Sequence, residues 1–113
     1  MGMADMAVAL WGSHLKHNPA NPKWFDRDRF VLSKGHAMLA VYAALFLKGW
    51  LRQEELNTYC GDGSLLGVHP ECGLRGVDFA SGSLGHGLSM AAGAALAARL
   101  QHSPRRAFAL LSD

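Results

Sequence analysis

Two glycine–histidine loops, each opening into a helix of small residues, constrain the fold of this chain most strongly. Residues 33–36 (SKGH) follow the apolar run 30–32, and residues 81–87 (SGSLGHG) follow the short segment 77–80 (VDFA). In α/β proteins, a strand, a glycine turn and a helix in succession direct backbone N–H groups toward a phosphate. The two loops therefore predict a site for a phosphorylated ligand at one edge of a sheet.

The hydrophobic pattern predicts alternating helices and strands. We expect helices at 3–14, 36–48, 52–59 and 88–100, strands at 30–33, 77–80 and 107–111, and a glycine-rich loop over 61–76. This alternation favours an α/β fold with a doubly wound, mostly parallel sheet. The stretch 37–47 is apolar nearly all round, which is typical of a helix inside a larger protein or under a partner.

Composition excludes several classes of partner. The 113 residues carry a net charge of +2 with dispersed basic residues, which argues against nucleic acid as the main partner. The longest apolar stretch is about half of the roughly 20 residues that cross a bilayer, so no membrane span is expected. Cys60 and Cys72 match no zinc or redox spacing, and two reduced thiols without a basic secretory signal indicate a cytoplasmic protein.

Three histidines and one acid are the candidate polar groups of the site. His36, His69 and His86 all fall on predicted loops or helix starts at the same edge of the sheet, which favours binding of an anion or of hydroxyl groups. Asp113 follows the last predicted strand, where ligand sites of α/β proteins lie. The alternative for each is structural: a tight turn without a ligand, a capping or packed histidine, and a solvated terminal acid.

The glycine spacing of the second loop matches neither common nucleotide motif. Gly82, Gly85 and Gly87 follow neither the dinucleotide fingerprint nor the P-loop, although an ordinary nucleotide-binding domain stays an alternative. Residues 81–85 approach the nucleophile elbow of hydrolases. After Ser83 the only acid is Asp113, and no histidine follows it, so a serine hydrolase is not expected.

Four segments in register resemble the amino-terminal, diphosphate-binding domain of transketolase, and most closely its split form, in which this half is a separate subunit. They are 27–36 (RDRFVLSKGH), 67–71 (GVHPE), 82–89 (GSLGHGLS) and 110–113 (LLSD). The resemblance implies the thiamine-diphosphate-binding fold, with residues 1–113 forming a fragment of the domain that binds the diphosphate and the metal.

The resemblance also implies cofactors and site residues. Thiamine diphosphate would bind with a divalent cation, Mg²⁺ or Ca²⁺, and Asp113 would be the first metal ligand. His36 would contact the diphosphate side of the cofactor and His69 would face substrate hydroxyls, which makes both catalytic candidates. The implied cofactor-binding residues are His36, Gly82, Ser83, Leu84, Gly85 and His86; many full-length relatives carry glutamine in place of the last.

The implied activity is transfer of a two-carbon ketol unit from a ketose phosphate to an aldose phosphate. A carboxy-terminal transketolase half or subunit would complete the site, and the complete enzyme would be a homo-oligomer. Segments that family members carry before residue 1 and after residue 113 are not in this sequence, so we expect truncation at both ends and an inactive isolated chain. The alternative is a non-catalytic truncated product or an interaction fragment that docks through helix 37–47.

Overall fold

Two short parallel strands form the centre of the computed structural model, which describes residues 2–111. Strand β1 spans Arg29–Leu32 and strand β2 spans Ala107–Leu110. They pair in parallel, with Arg29 opposite Ala107 and Leu32 opposite Leu110. Parallel strands need a long crossover connection, and the chain between the strands supplies it. This architecture is α/β with a small parallel sheet, which confirms the predicted class.

The first helix is shorter than its hydrophobic pattern predicts. Helix α1 spans Gly2–Ala9 and continues as a wider π-helical turn over Leu10–His14, which the Leu15 amide closes by donating to the Leu10 carbonyl at 2.8 Å. Trp11 in that turn is buried and packs edge-on against Phe30 of β1. The helix therefore docks on the sheet through this indole ring.

The second helix begins at the first glycine–histidine loop. A 3₁₀ turn over Gly35–Ala37 continues directly into helix α2, Met38–Leu47. Gly49 beyond it has a φ of +76°, a left-handed conformation that commonly ends helices. One face of α2 enters the core through Met38, Val41, Tyr42 and Leu45. The opposite face leaves Leu39 and Leu47 57% and 78% exposed.

The remaining helices frame the glycine-rich loop. Helix α3 covers only Gln53–Leu56, whereas helix α4 runs over His86–Leu100 and begins two residues earlier than predicted. Among residues 2–111, no helix is long and apolar enough to cross a membrane. The core between α1, α2 and the sheet is aromatic and aliphatic: Trp11, Leu15, Phe30, Leu32, Met38, Val41, Tyr42, Leu45, Trp50, Leu51, Leu66, Leu74 and Leu110.

The predicted strand over 77–80 is wrong. These residues have no ladder partner and belong to no strand. Side chains hold the segment instead: the Asp78 carboxylate accepts hydrogen bonds from the Arg27 guanidinium at 2.5 and 2.9 Å, and the Ala80 amide donates to Cys72 Sγ at 2.9 Å. The ion pair therefore holds this segment in place, as ladder hydrogen bonds would hold a strand. The second glycine–histidine loop consequently follows an extended segment.

Candidate functional site

The first glycine–histidine loop turns at the carboxyl end of β1. The Ser33 amide donates to the Leu110 carbonyl at 2.9 Å, which extends the ladder by one bond beyond the strands. The chain then enters the 3₁₀ turn that leads into α2. His36 consequently lies at the start of a helix and beside the carboxyl ends of both strands. Ligand sites of parallel sheets lie at this edge.

Gly35 is the point at which the three sequence motifs meet. A Cβ atom at this position would lie 2.6 Å from His69 Cδ2 and 3.2 Å from the Ser81 carbonyl oxygen. A Cβ at Gly82 would lie 3.3 Å from the same His69 atom. Because real Cβ atoms do not approach so closely, only glycine lets the 33–36 loop reach both the 67–71 segment and the 81–87 turn.

The two candidate catalytic histidines lie next to each other. The ring centroids of His36 and His69 are 5.0 Å apart, with the rings nearly edge-on at 62°. His36 is exposed, whereas His69 is half-buried between Gly35 and Gly82. The structure thus brings together two imidazoles that are 33 positions apart in the sequence.

Helix α4 begins at the second loop with a free N-terminus. Gly85, its N-cap, has a φ of +83°, and no side chain caps the helix. Gly87 packs against the first loop, since a Cβ there would lie 2.5 Å from Ser33 Cβ. The first N–H groups of a helix have no partner within the helix and carry its positive dipole end. They are therefore available to an anion beside the carboxyl end of β1.

A cavity of about 260 Å³ opens beside this helix start. Its walls come from the segment that follows His69, from the glycine turn and from the first turns of α4: Pro70, Glu71, Ala80, Ser81, Gly82, Ser83, His86 and Met90. The buried Ser81 hydroxyl donates to the Leu32 carbonyl and so ties the cavity wall to the end of β1. The wall carries one acid, Glu71, opposite hydroxyl, imidazole and backbone donors.

The structure adds one polar residue that the sequence analysis passed over. Tyr42 is buried in the core face of α2, and its hydroxyl donates to the Gly67 carbonyl oxygen at 2.9 Å. Burial raises the pKa of Tyr42 to about 12, so the hydroxyl keeps its proton at neutral pH. Tyr42 carries the hydroxyl group of an otherwise apolar helix, and this contrast in the sequence could have identified it as a candidate.

The other predicted site residues differ in how far the fold gathers them. Gly82, Ser83 and His86 line the cavity. Leu84 is 70% exposed, and the space beside Gly85 is open. Asp113 lies outside the described residues. Within residues 2–111, no three His, Cys, Asp or Glu side chains are grouped as a metal site requires.

The donors that are present suit a phosphate-bearing ligand. The free amides of α4, the imidazoles of His36 and His86 and the Ser83 hydroxyl can all donate hydrogen bonds, and phosphate oxygens only accept them. Glycine at positions 35 and 82 leaves room for the neighbouring groups. A Cβ atom at either position would crowd the His69 ring, and one at position 35 would also crowd the Ser81 carbonyl oxygen. The site therefore offers hydrogen-bond donors that suit an anion.

Comparisons with known proteins identify the family of this chain. The family model described as "Transketolase, thiamine diphosphate binding domain" matches residues 1–107. The transketolase of Treponema pallidum is 50% identical over 99 residues, which cover 86% of this chain. Transketolase 2 of Escherichia coli is 50% identical over 101 residues, or 88% of the chain. The chain spans about 15% of the length of each relative.

Solved structures give the same result. The transketolase of Campylobacter jejuni superposes with a TM-score of 0.88 at 36% identity, over 95% of this chain and 18% of that one. The transketolase of Leishmania mexicana superposes with a TM-score of 0.87 at 35% identity, over 98% and 18%. Since the family model covers residues 1–107, nearly the whole chain, this chain belongs to the transketolase family, within its thiamine diphosphate binding domain.

Proposed function

We propose that residues 1–113 form the diphosphate-binding wall of a transketolase, an enzyme that transfers a two-carbon ketol unit from a ketose phosphate to an aldose phosphate. The proposal rests above all on the close approach of three loops at Gly35, which brings His36, His69 and the Gly82 turn to the carboxyl edge of the sheet. The family assignment supports thiamine diphosphate as the ligand of this anion site.

Each group at this edge has a separate task in the proposal. The free N-terminus of α4, together with Gly82, Ser83, Leu84 and Gly85, holds the diphosphate through backbone and hydroxyl donors. His36 and His86 donate hydrogen bonds to the phosphate oxygens. His69, half-buried beside them, faces the sugar hydroxyls and holds or moves a proton there. The bound cofactor supplies the carbon nucleophile of the reaction.

The metal belongs to the same proposal. Asp113 follows β2 by three residues, and the last residue of β2, Leu110, pairs with Leu32 beside the glycine loops. A carboxylate at that edge would be the first protein ligand of Mg²⁺ or Ca²⁺, and diphosphate oxygens would supply further ligands. Other segments of the enzyme would provide the rest of the metal shell.

The complete enzyme requires more than these residues. We propose a carboxy-terminal half or subunit that carries the acid activating the cofactor, sugar phosphates as substrates, a homo-oligomer as the assembled form and the cytoplasm as its location. In that enzyme the two strands belong to a larger, doubly wound parallel sheet, and residues 1–113 are part of its diphosphate domain. The 113-residue chain alone would be inactive, because it holds one candidate metal ligand and lacks the activating acid.

A chimera tests the proposal directly. Residues 1–113 replace the corresponding segment of Escherichia coli transketolase 2, and ketol transfer from a ketose phosphate to an aldose phosphate is measured. We expect transfer that depends on thiamine diphosphate and Mg²⁺, and loss of it in the His69→Ala variant. His102→Ala is the matched control, since His102 is exposed at the far end of α4. A folded chimera without transfer, or one that prefers ATP or NAD to thiamine diphosphate, would contradict the proposal.

The exposed face of α2 supports a second candidate function, that of an interaction fragment. Leu39 and Leu47 are 57% and 78% exposed, and an apolar groove of about 210 Å³ lies between α1 and α2. An apolar surface of this kind is typical of a face that another segment covers. Size-exclusion chromatography of the 113-residue chain tests this function. A well-behaved monomer with a sharp thermal transition contradicts it, and self-association that Leu47→Ser abolishes supports it.

A further inference from the structure

We infer that Tyr42 is a positioning residue for His69: its hydroxyl fixes the backbone of residues 67–70 and thereby sets where the His69 ring stands relative to His36. The inference rests on the proposed function, in which both imidazoles serve one ligand. It concerns a group that touches neither substrate nor cofactor and acts only through the loop that it holds.

The hydrogen bond itself is well formed. The Tyr42 hydroxyl donates to the Gly67 carbonyl oxygen at 2.9 Å and lies 3.5 Å from the His69 carbonyl oxygen. A phenol has one proton, so the shorter contact is the hydrogen bond and the longer one is a weak polar contact. The two carbonyls flank Val68, so the hydroxyl lies against the bend that leads to His69 and holds it through the Gly67 carbonyl.

The 67–70 segment has little other polar support. Within the described part of the chain, none of these four residues makes a hydrogen bond between backbone groups, and the Tyr42 hydroxyl is the only group that donates a hydrogen bond to them. Segments without backbone pairing open easily unless a side chain holds them. The position of His69 thus depends strongly on this hydroxyl.

Helix α2 connects the two histidines mechanically. His36 lies in the 3₁₀ turn that continues into α2, and Tyr42, 2% exposed, lies six residues further along the same helical segment. The His69 ring meets Gly35 and Gly82 on its other sides. One rigid element thus carries His36 at its start and holds the backbone of His69 from its middle, which accounts for the 5.0 Å separation of the rings.

The aromatic ring and the hydroxyl of Tyr42 have separable roles. The ring packs in the core and meets Tyr59 edge-on at 6.1 Å, a contact that phenylalanine would keep. The hydroxyl lies against the loop carbonyls, and phenylalanine would remove only that hydrogen bond. Tyr42→Phe therefore isolates the positioning role. Tyr59→Phe is its matched control, because it removes a hydroxyl from the adjoining ring without touching residues 67–70.

Chemical modification measures the position of His69 without any need for activity. The chimera described above is treated with diethyl pyrocarbonate, and mass spectrometry follows carbethoxylation of each histidine. We expect Tyr42→Phe to raise the rate at His69 about fivefold, the change in population that loss of one neutral hydrogen bond allows. Exposed His102 and half-buried His17, which packs against Trp11 and Trp50, serve as internal references and keep their rates.

Two results would overturn the positioning role. One is an equal His69 rate in Tyr42→Phe and Tyr59→Phe; the other is a rise that His17 shares, since that would report general loosening of the core. These rates decide the role of Tyr42 even if the unsubstituted chimera transfers no ketol unit, which would contradict the proposed function alone.

Steady-state kinetics of the same variants test the link to the reaction. We expect Tyr42→Phe to lower kcat/KM for the ketose phosphate about tenfold through a displaced His69. The dissociation constant of thiamine diphosphate should stay unchanged, because the diphosphate is held by α4 and His36. An unchanged kcat/KM beside a selective rise in His69 modification, or equal losses in sugar and cofactor binding, would overturn this link.

Discussion

The two ends of the parallel strand pair differ in how completely their polar groups are used. At the amino end, the fully buried Asp28 carboxylate accepts hydrogen bonds from the Lys16 amide and from the amide and guanidinium of Arg106. Arg27 forms a two-bond ion pair with Asp78 at the same end. At the carboxyl end, the helix N-terminus is free, and the exposed His36 and His86 make no side-chain hydrogen bond within the described residues.

This difference separates groups that stabilise the fold from groups that stay free to contact a ligand. Dehydrating a buried charge costs free energy, so a stable fold pairs such charges internally. At the amino end, Asp28 and Arg27 are both paired in this way. Donors left free beside an open cavity remain available to a ligand. The amino end accordingly stabilises the fold, and the carboxyl end is where we propose that the ligand binds. Substitutions at each end test this difference.

The largest expected effect is loss of stability on Asp78→Ala. This change leaves the Arg27 guanidinium, whose side chain is 8% exposed, buried without its partner. Removing one member of such a pair costs about 3–5 kcal/mol. Urea unfolding followed by tryptophan fluorescence measures it, and Asp62→Ala, an exposed acid in the glycine-rich loop, is the control with little expected change. Equal unfolding midpoints for the two variants would refute the structural role of the ion pair.

A smaller loss of stability with a large loss of binding is expected for Gly35→Ala. The new methyl group would overlap the His69 ring, and overpacking of this kind costs about 1–3 kcal/mol. Calorimetry on the chimera should show weakened binding of thiamine diphosphate. In Gly93→Ala the methyl group meets nothing within 4 Å in the middle of α4, so this control should gain about 0.5–1 kcal/mol. Unchanged binding in Gly35→Ala would show that the three loops need not approach so closely.

Ser81→Ala should cost about 1 kcal/mol. It removes the hydroxyl that joins the glycine turn to the Leu32 carbonyl and leaves that carbonyl without this partner. Ser83→Ala, two residues further along the turn and exposed, should leave stability unchanged. Thermal unfolding of both variants gives the comparison. A larger loss for Ser83 than for Ser81 would reverse the assignment of anchor and ligand-facing hydroxyl.

The smallest expected effect is the pH dependence that Asp28 contributes. Burial alone would raise the pKa of Asp28, but hydrogen bonds from Arg106 and the Lys16 amide outweigh it and hold the pKa below its ordinary value of 3.8. This stabilisation is complete above pH 3.8 and is lost as the pH falls through the lowered pKa. Unfolding free energies between pH 7 and pH 2 should therefore fall less steeply in Asp28→Asn. Equal slopes would remove Asp28 from the acid response.

How much the sequence could predict also differs between the two ends. Loop spacing and helix periodicity predicted where α2 and α4 begin to within two residues, because glycine turns and apolar faces are local features. The segment 77–80 (VDFA) was predicted to be a strand, but the ion pair between Arg27 and Asp78 holds it outside the sheet. That ion pair joins residues 51 positions apart, so no local sequence pattern predicts it.

The anchoring groups of the site were hidden for the same reason. The sequence pattern identified His36, His69 and His86 because they lie in glycine-rich loops or at helix starts. It did not identify Tyr42, because the Tyr42 hydroxyl donates to Gly67, 25 positions away. In the sequence Gly35 belongs to a single turn, but the groups that exclude a side chain at this position are His69 and Ser81 of two other loops. Sequence patterns identify candidate ligand-facing groups, and only the folded chain reveals what holds them in place.

We propose that the free amides at the start of α4 bind the diphosphate. Millisecond hydrogen–deuterium exchange of the chimera, with and without thiamine diphosphate and Mg²⁺, measures those amides directly. We expect slower exchange at residues 83–88 on addition of the ligand and no change at residues 26–29 or 106–107, while thiamine without its diphosphate leaves 83–88 unaltered. Protection confined to the amino end of the strands, or the same protection by thiamine alone, would contradict it.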